Sequence, residues 1–251
     1  MTTVTASPLV RSAMARRAGG LYLIYIFLNI VASLLGHIGL SDAETLQATI
    51  ADDEAMFRLG LVAALGSALL FALTAWALYA LLRPVDGTLA LLFFVLNAVG
   101  VAVQCASYLP LLTVLAQGDS SLGVTGLDGV AALSVTTYQT GFVMAQLFFS
   151  AWLFPLGWLV LRSGFLPRFL GWLLILDGVG VLVWFLQVFL APEYPAISYP
   201  AWVVGFVAEL GLALWLVVKG AGPTREAPTA SLPNAAVPAP SEQVNSAPGT
   251  P

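Results

Sequence analysis

Leu59-Gly-Leu-Val-Ala-Ala-Leu-Gly-Ser-Ala-Leu-Leu-Phe-Ala-Leu-Thr-Ala-Trp-Ala-Leu-Tyr-Ala-Leu-Leu82 runs for 24 residues between Arg58 and Arg83 without a formal charge. About 20 consecutive, mostly apolar residues cross a bilayer as a helix, so this stretch reads as a membrane span. The pattern recurs on both sides of it. Another 24 uncharged residues lie between Arg17 and Asp42, 32 lie from Gly87 to Gly118, and 33 from Gly129 to Leu161. After Arg168 only Asp177, Glu193 and Glu209 interrupt the apolar run before Lys219. Six helices are expected: Ala18 to Ile38, Leu59 to Leu82, Leu89 to Ala116, Thr137 to Leu161, Phe169 to Ala191, and Tyr199 to Val218. No strand-length alternation of apolar and polar residues occurs, which argues against a β-barrel. The expected fold is all-α, a six-helix transmembrane bundle.

Composition agrees. Of 251 residues, 59% are hydrophobic and 9% charged, with a mean hydropathy of +0.93; a soluble domain carries about 25% charged residues. A net charge of −4 speaks against a nucleic-acid partner. One Cys and one His exclude an internal disulfide framework, a Cys-rich metal site and any two-histidine ligand set within the chain.

Basic residues set the orientation, because Lys and Arg flank the cytoplasmic ends of spans. With the N-terminus inside, Arg11, Arg16, Arg17, Arg83, Arg162, Arg168, Lys219 and Arg225 are all cytoplasmic, and so are both termini. Arg58 is the exception, and Glu54 four residues earlier can hold it as an i,i+4 pair. The first span is longer than a secretory h-region and no A-x-A site follows, so it reads as a retained span. The expected organisation is a cytoplasmic arm (1–17), a six-span domain (18–219) and a Pro/Ala-rich disordered tail (220–251), which holds seven of the fifteen prolines. The turns 83–87 and 162–168 are short, so their flanking helices should be antiparallel neighbours. Pro167 suits the first turn of the fifth helix. Ser41-x-x-Glu44 is a capping-box pattern able to start a surface helix over Leu46 and Ile50. Gln117 to Gly129 reads as a flexible outer loop.

Function should show as polar groups at membrane depth. Tyr22, Asn29 and Ser33 share a face of the first helix by their spacing. Asn97, Gln104 and Tyr108 do so in the third, and Gln139, Gln146 and Ser150 in the fourth; Ser67 and Thr74 are seven apart in the second. Such stripes should face other helices, because lipid offers no hydrogen-bond partner. As packing glue, each contact is worth about 0.6 kcal/mol.

Two carboxylates stand apart from these stripes. Glu209 is the eleventh residue of a twenty-residue span, and Asp177 is nine residues into the fifth. An ionised carboxylate at the helix centre costs about 2.5–3.5 kcal/mol, and no Lys or Arg lies within a span to offset it. The protonated, hydrogen-bond-donating form of each is therefore expected. Ala201, Gly205, Glu209 and Ala213 recur at intervals of four, a small-residue packing face with the carboxyl in its middle. The functional reading is a buried polar site for a small ligand or a proton, built from Glu209, Asp177, Asn29, Asn97, Gln104 and Gln146. The rival reading is a non-catalytic scaffold or accessory subunit, in which a protonated Glu209 only clips the last helix to a neighbour.

No catalytic residue, metal ligand or cofactor is expected. The chain lacks H-E-x-x-H, a P-loop and G-x-S-x-G. Ser163 lies in a hairpin across the membrane from His37, so nucleophile and base cannot meet. His37 reads as a polar tip at the headgroups and Cys105 as a packing residue. The Trp residues 152, 158, 172, 184, 202 and 215 partly mark interface belts. The expected partners are the lipid bilayer and a small molecule, with a protein partner under the scaffold reading.

Phe57-Arg-Leu-Gly60, Leu81-Leu-Arg-Pro-Val85, Arg162-Ser-Gly-Phe-Leu-Pro-Arg168 followed by Leu170-Gly171, and Glu209-Leu-Gly-Leu-Ala-Leu-Trp-Leu216 ending at Lys219-Gly220 resemble a bacterial membrane family, domain of unknown function four-three-eight-six. The likeness runs from about Arg16 to Gly220. It implies a six-helix protein of the bacterial plasma (inner) membrane with no established activity, and Glu209 matches the family's final-helix Glu.

Overall fold

The computed structural model describes residues 8–39, 41, 43–117 and 128–222. The first seven residues of the expected arm, most of the expected outer loop and the expected tail beyond residue 222 lie outside the described residues. Eight α-helices carry the described chain, with no strand: α1 Pro8–Gly36, α2 Ala43–Asp52, α3 Glu54–Leu82, α4 Gly87–Ser107, α5 Leu109–Gln117, α6 Asp128–Arg162, α7 Arg168–Leu190 and α8 Tyr199–Val218. A 3₁₀ turn, Pro195–Ser198, leads into α8. Six stretches are long and apolar enough to cross a membrane, α4 and α5 together supplying the third. The chain is an all-α, multi-pass membrane bundle.

Helix ends follow local chemistry. Asp53 accepts a hydrogen bond from the Met56 amide (3.1 Å) and Asp86 from the amides of Thr88 and Leu89 (3.1 Å each), so both act as N-caps. Pro167 sits at the N-cap of α7 rather than in its first turn, with Arg168 opening the helix. The third expected helix is broken at Tyr108, because Pro110 lacks an N–H and disfavours helical geometry at Leu109. There the Tyr108 amide turns to the Cys105 carbonyl (3.2 Å). α1 begins ten residues before Ala18, since Arg16 and Arg17 bound the apolar stretch without ending a helix, and α6 begins nine before Thr137, at the Asp128 edge of its uncharged stretch. His37 ends α1 in the left-handed region, φ 51°, and its Nδ1 meets the Thr49 hydroxyl of α2 at 2.8 Å.

The principal contacts between spans run in a closed ring, α1–α3–α4–α6–α7–α8 and back to α1. Aromatic rings fill its middle. Phe71 of α3 stacks on Tyr25 of α1 (4.3 Å between centroids), meets Tyr22 at 6.3 Å and touches Trp152 of α6 edge-on at 5.2 Å. Two pairs of spans approach at glycines. A Cβ on Gly60 would lie 2.5 Å from the Gly36 backbone, and one on Gly157 would lie 2.8 Å from the Gly171 carbonyl oxygen. Outward, Leu59, Val62, Leu69, Leu73 and Trp76 of α3 are all exposed, while Phe57, Leu61, Ala64, Ala68, Phe71 and Leu78 are buried. A helix apolar on both faces needs lipid on one of them.

One end of the bundle collects the basic residues. The Arg11 guanidinium lies over the Phe165 ring (5.1 Å) and reaches the Gly222 carbonyl (3.4 Å). Arg162 pairs with Asp86 at 3.7 Å. These contacts place the start of α1, both short turns and the end of α8 together. In the α6–α7 turn the Ser163 hydroxyl donates to the Val160 carbonyl (2.9 Å) and accepts from the Leu166 amide (3.2 Å), which is a turn-forming role.

Candidate intramembrane site

The stripe on α8 lies between two neighbours. A Cβ on Gly180 of α7 would meet Ala201 Cβ at 2.8 Å, one on Gly205 would meet Asp177 Oδ1 at 2.6 Å, and one on Gly19 of α1 would meet the Ala213 carbonyl at 2.8 Å. Small residues thus bring α8 against α7 at one end and α1 at the other, and Glu209 falls where the contact passes from one to the other. Asp177 is 1% exposed and seated directly on Gly205. Its Oδ2 has no hydrogen-bond partner. The Asp177 and Glu209 carboxyls interact electrostatically. The Tyr22 hydroxyl of α1 also interacts with the Glu209 carboxyl, though without hydrogen-bonding geometry.

Unpartnered polar atoms continue across the ring. Tyr22 leads through Phe71 to Trp152, which is fully buried and whose Nε1 has no partner. Trp152 is therefore an interior residue, not part of an interface belt. Phe93 of α4 packs on Trp152 at 6.2 Å, and Asn97, one turn on, shares its face. Asn97 is 0% exposed, and neither its Oδ1 nor its Nδ2 finds a partner. Buried polar groups are ordinarily satisfied in native proteins, so the gathering of such atoms on α1, α4, α6 and α7 is a feature of this core.

A cavity of about 140 Å³ opens at Glu209, lined by Tyr25, Ile26, Asn29, Ile30, Phe206 and Glu209. Glu209 is consequently half-buried and Asn29 exposed. The six expected site residues divide accordingly. Glu209 and Asn29 share the cavity between α8 and α1, Asp177 rests on Gly205 one turn from Glu209, and Asn97 lies on α4 one turn from Phe93, which packs on Trp152 of α6. Gln104 belongs elsewhere: its Nε2 donates to the Tyr108 hydroxyl (2.9 Å), and Tyr108 stacks on Tyr138, whose hydroxyl accepts from the Gly39 amide (2.8 Å). Gln146 is buried and turns back to the Phe142 carbonyl of its own helix (3.4 Å).

The stripes contribute less interhelical bonding than their spacing suggests. Ser67 and Thr74 donate to Ala64 and Leu70, carbonyls of their own helix (2.8 Å each). Ser150 does cross, to the Gly178 carbonyl of α7 (2.8 Å), and Gln139 reaches the Ser41 carbonyl (3.1 Å). Tyr25, four residues before Asn29, lines the Glu209 cavity and was not among the expected site residues; its i,i+4 relation to Asn29 is the signal that points to it. Two larger pockets lie apart from the carboxyls. One of about 580 Å³ borders His37, Glu44, Asp52 and Asp53; one of about 320 Å³ is walled by Phe142, Trp184 and Trp202 with Gln139 and Gln187.

Residues 17–220 match the family model described as Domain of unknown function (DUF4386). An uncharacterized protein of Archaeoglobus fulgidus is 27% identical over 149 residues, which cover 57% of this chain and 73% of the relative. No solved structure matches the chain. With four-fifths of its length inside that model, including α7, α8 and both carboxyls, the chain belongs to the DUF4386 family.

Proposed function

We propose that the protein binds, and carries through the membrane, a small molecule or a proton at an intramembrane site made by Glu209 and Asp177 with Tyr22 beside them. One observation carries this reading: Asp177 of α7 rests on Gly205, one turn from Glu209 and its cavity on α8, and the buried Asp177 Oδ2 and Tyr22 hydroxyl have no hydrogen-bond partner. Ionisable residues inside a membrane are costly and mark pathways or ligand sites. A scaffold needs its polar groups paired across helices, and here Ser67 and Thr74 bond within their own helix. The scaffold reading keeps the Ser150–Gly178 bond as its support. By the positive-inside rule we place the basic end, and with it the arm (1–17), both termini and the tail (220–251), in the cytoplasm of a bacterial cell, the spans (18–219) crossing its plasma membrane.

Native mass spectrometry of protein purified in lipid, wild type against Glu209→Gln, tests the proposal. Gln keeps shape and hydrogen bonding but does not ionise. The expected result is a co-purifying small molecule on the wild type that is absent from the variant. Identical spectra from two equally folded proteins would favour the scaffold.

A further inference from the structure

The Glu209 cavity lies on the outside of the ring. Of its walls, Asn29, Ile30 (43% exposed) and Phe206 (54%) are exposed on the α1–α8 seam, the surface that acyl chains cover in a bilayer. An exposed amide there has no water to bond. Resting on the reading just given, we infer that this seam is a lateral portal through which a membrane-soluble amine sets its protonated head group on Glu209.

Three observations select that chemistry. The groups around the site are acids and phenols: Glu209 of α8 is faced by Tyr22 and Tyr25 of α1 and by Asp177 of α7. No Lys or Arg lies within residues 18–38, 59–82, 89–116, 137–161, 169–191 or 199–218, so the complementary charge has to arrive with the ligand. Tyr25 and Phe206 on the cavity wall offer ring faces to a cation, and the Asn29 amide on the same wall supplies a carbonyl oxygen to accept an ammonium N–H. Size decides the rest. A cavity of about 140 Å³ is well below the roughly 300–1,000 Å³ of sites that enclose drug-sized ligands. It admits a head group while the apolar tail stays in the bilayer outside the seam.

The step balances as an exchange. The ammonium R–NH₃⁺ enters, the Glu209 carboxylic acid releases its O–H proton to water, and the resulting carboxylate pairs with the ammonium, which keeps all three hydrogens. One proton leaves for each amine bound. Affinity therefore rises with pH while the free site holds its proton, levels off once Glu209 is ionised, and falls as the amine itself deprotonates near about pH 10.

The test uses the full chain in lipid nanodiscs, titrated with dodecylamine in weak buffer, with empty nanodiscs and dodecanol as controls. Expected are one saturable amine per chain, release of one proton, and neither effect with dodecanol. Glu209→Gln should weaken amine binding roughly 10- to 100-fold and abolish proton release, because a charge-assisted bond is lost. Phe206→Leu, which removes an exposed ring face from the cavity wall, should weaken binding while preserving proton release. Asn29→Trp, which plugs the portal, should reduce binding without altering the fold. Equal binding by Glu209→Gln, or dodecanol binding as tightly as the amine, overturns the amine assignment. So does an Asn29→Trp protein that changes oligomeric state with its amine binding intact, which would make the seam a contact between two copies. If dodecylamine fails while mass spectrometry finds another species lost in Glu209→Gln, only the ligand class falls. If both fail, the site itself falls.

Discussion

Gly60→Val is expected to leave little folded protein. A Cβ at this position lands 2.5 Å from the Gly36 Cα and N, which are backbone atoms of α1 with no flexible side chain to yield. Overpacking a core ordinarily costs about 1–3 kcal/mol. Here α1 and α3 must separate along a seam buried on both sides, so the cost should reach or exceed about 3 kcal/mol. Gly20→Ala is the matched control: nothing lies within 4 Å of its Cβ. There the gain in helix propensity, about 0.5–1 kcal/mol, should leave stability unchanged or slightly higher. Thermal melts of the two variants in detergent, followed by circular dichroism, give the comparison. Equal melting of Gly60→Val and wild type would show that α1 and α3 do not cross at these glycines.

Asn97→Leu is expected to stabilise the protein. The Asn97 side chain is wholly buried, and both ends of its amide lack partners. Leaving such a group unsatisfied costs about 1–3 kcal/mol, whereas an apolar side chain of the same shape avoids that penalty. Leu is close in volume and would rest between the packing contacts of Phe93 on Trp152 and of Gly100 on Phe149. Stability should therefore rise by about 1–3 kcal/mol, read as a higher melting temperature in the same detergent. A stabilised variant would place Asn97 among residues kept at the expense of stability, as functional sites commonly are. A lower melting temperature would mean that the amide is bonded in the native protein.

The spans were legible because lipid imposes one rule, an uncharged length sufficient to cross, and Arg58, Arg83, Arg162 and Arg168 punctuate it. What charges mark is the edge of the apolar stretch: α1 runs past Arg16 and Arg17, while α6 begins at Asp128, the edge of its own uncharged stretch. The break at Tyr108 was written in Leu109-Pro110 and was outweighed by hydrophobicity. The ring order was not legible. In α3 the lipid-facing Val62 and Leu69 and the core-facing Leu61 and Ala68 are alike in polarity, so periodicity does not tell inside from outside.

The candidate site divides along the same line. Glu209 and Asp177 stood out by cost alone, and Gly205 between them marked the helix face. Gln104 and Gln146 were grouped with them on spacing, yet each has a local acceptor within four residues, a competing bond that spacing does not reveal. Trp152 looked like any other tryptophan in the chain. Its interior position follows from the closure of the ring on Phe71, a contact 81 residues away in sequence.

We propose that Glu209 and Asp177, which rests on Gly205 one turn from Glu209, belong to one proton-exchanging site inside the membrane. Infrared difference spectroscopy of the reconstituted protein, recorded as pH is stepped, reads carboxyl protonation directly. The account predicts a pH-dependent carboxylic-acid carbonyl band in the wild type that loses the Glu209 contribution in Glu209→Gln, with the Asp177 contribution left behind. In Asp177→Asn the band should titrate at a different pH, and in Glu193→Gln it should be unchanged. A wild-type carboxyl signal that does not respond to pH, or one that survives intact in both Glu209→Gln and Asp177→Asn, would contradict it.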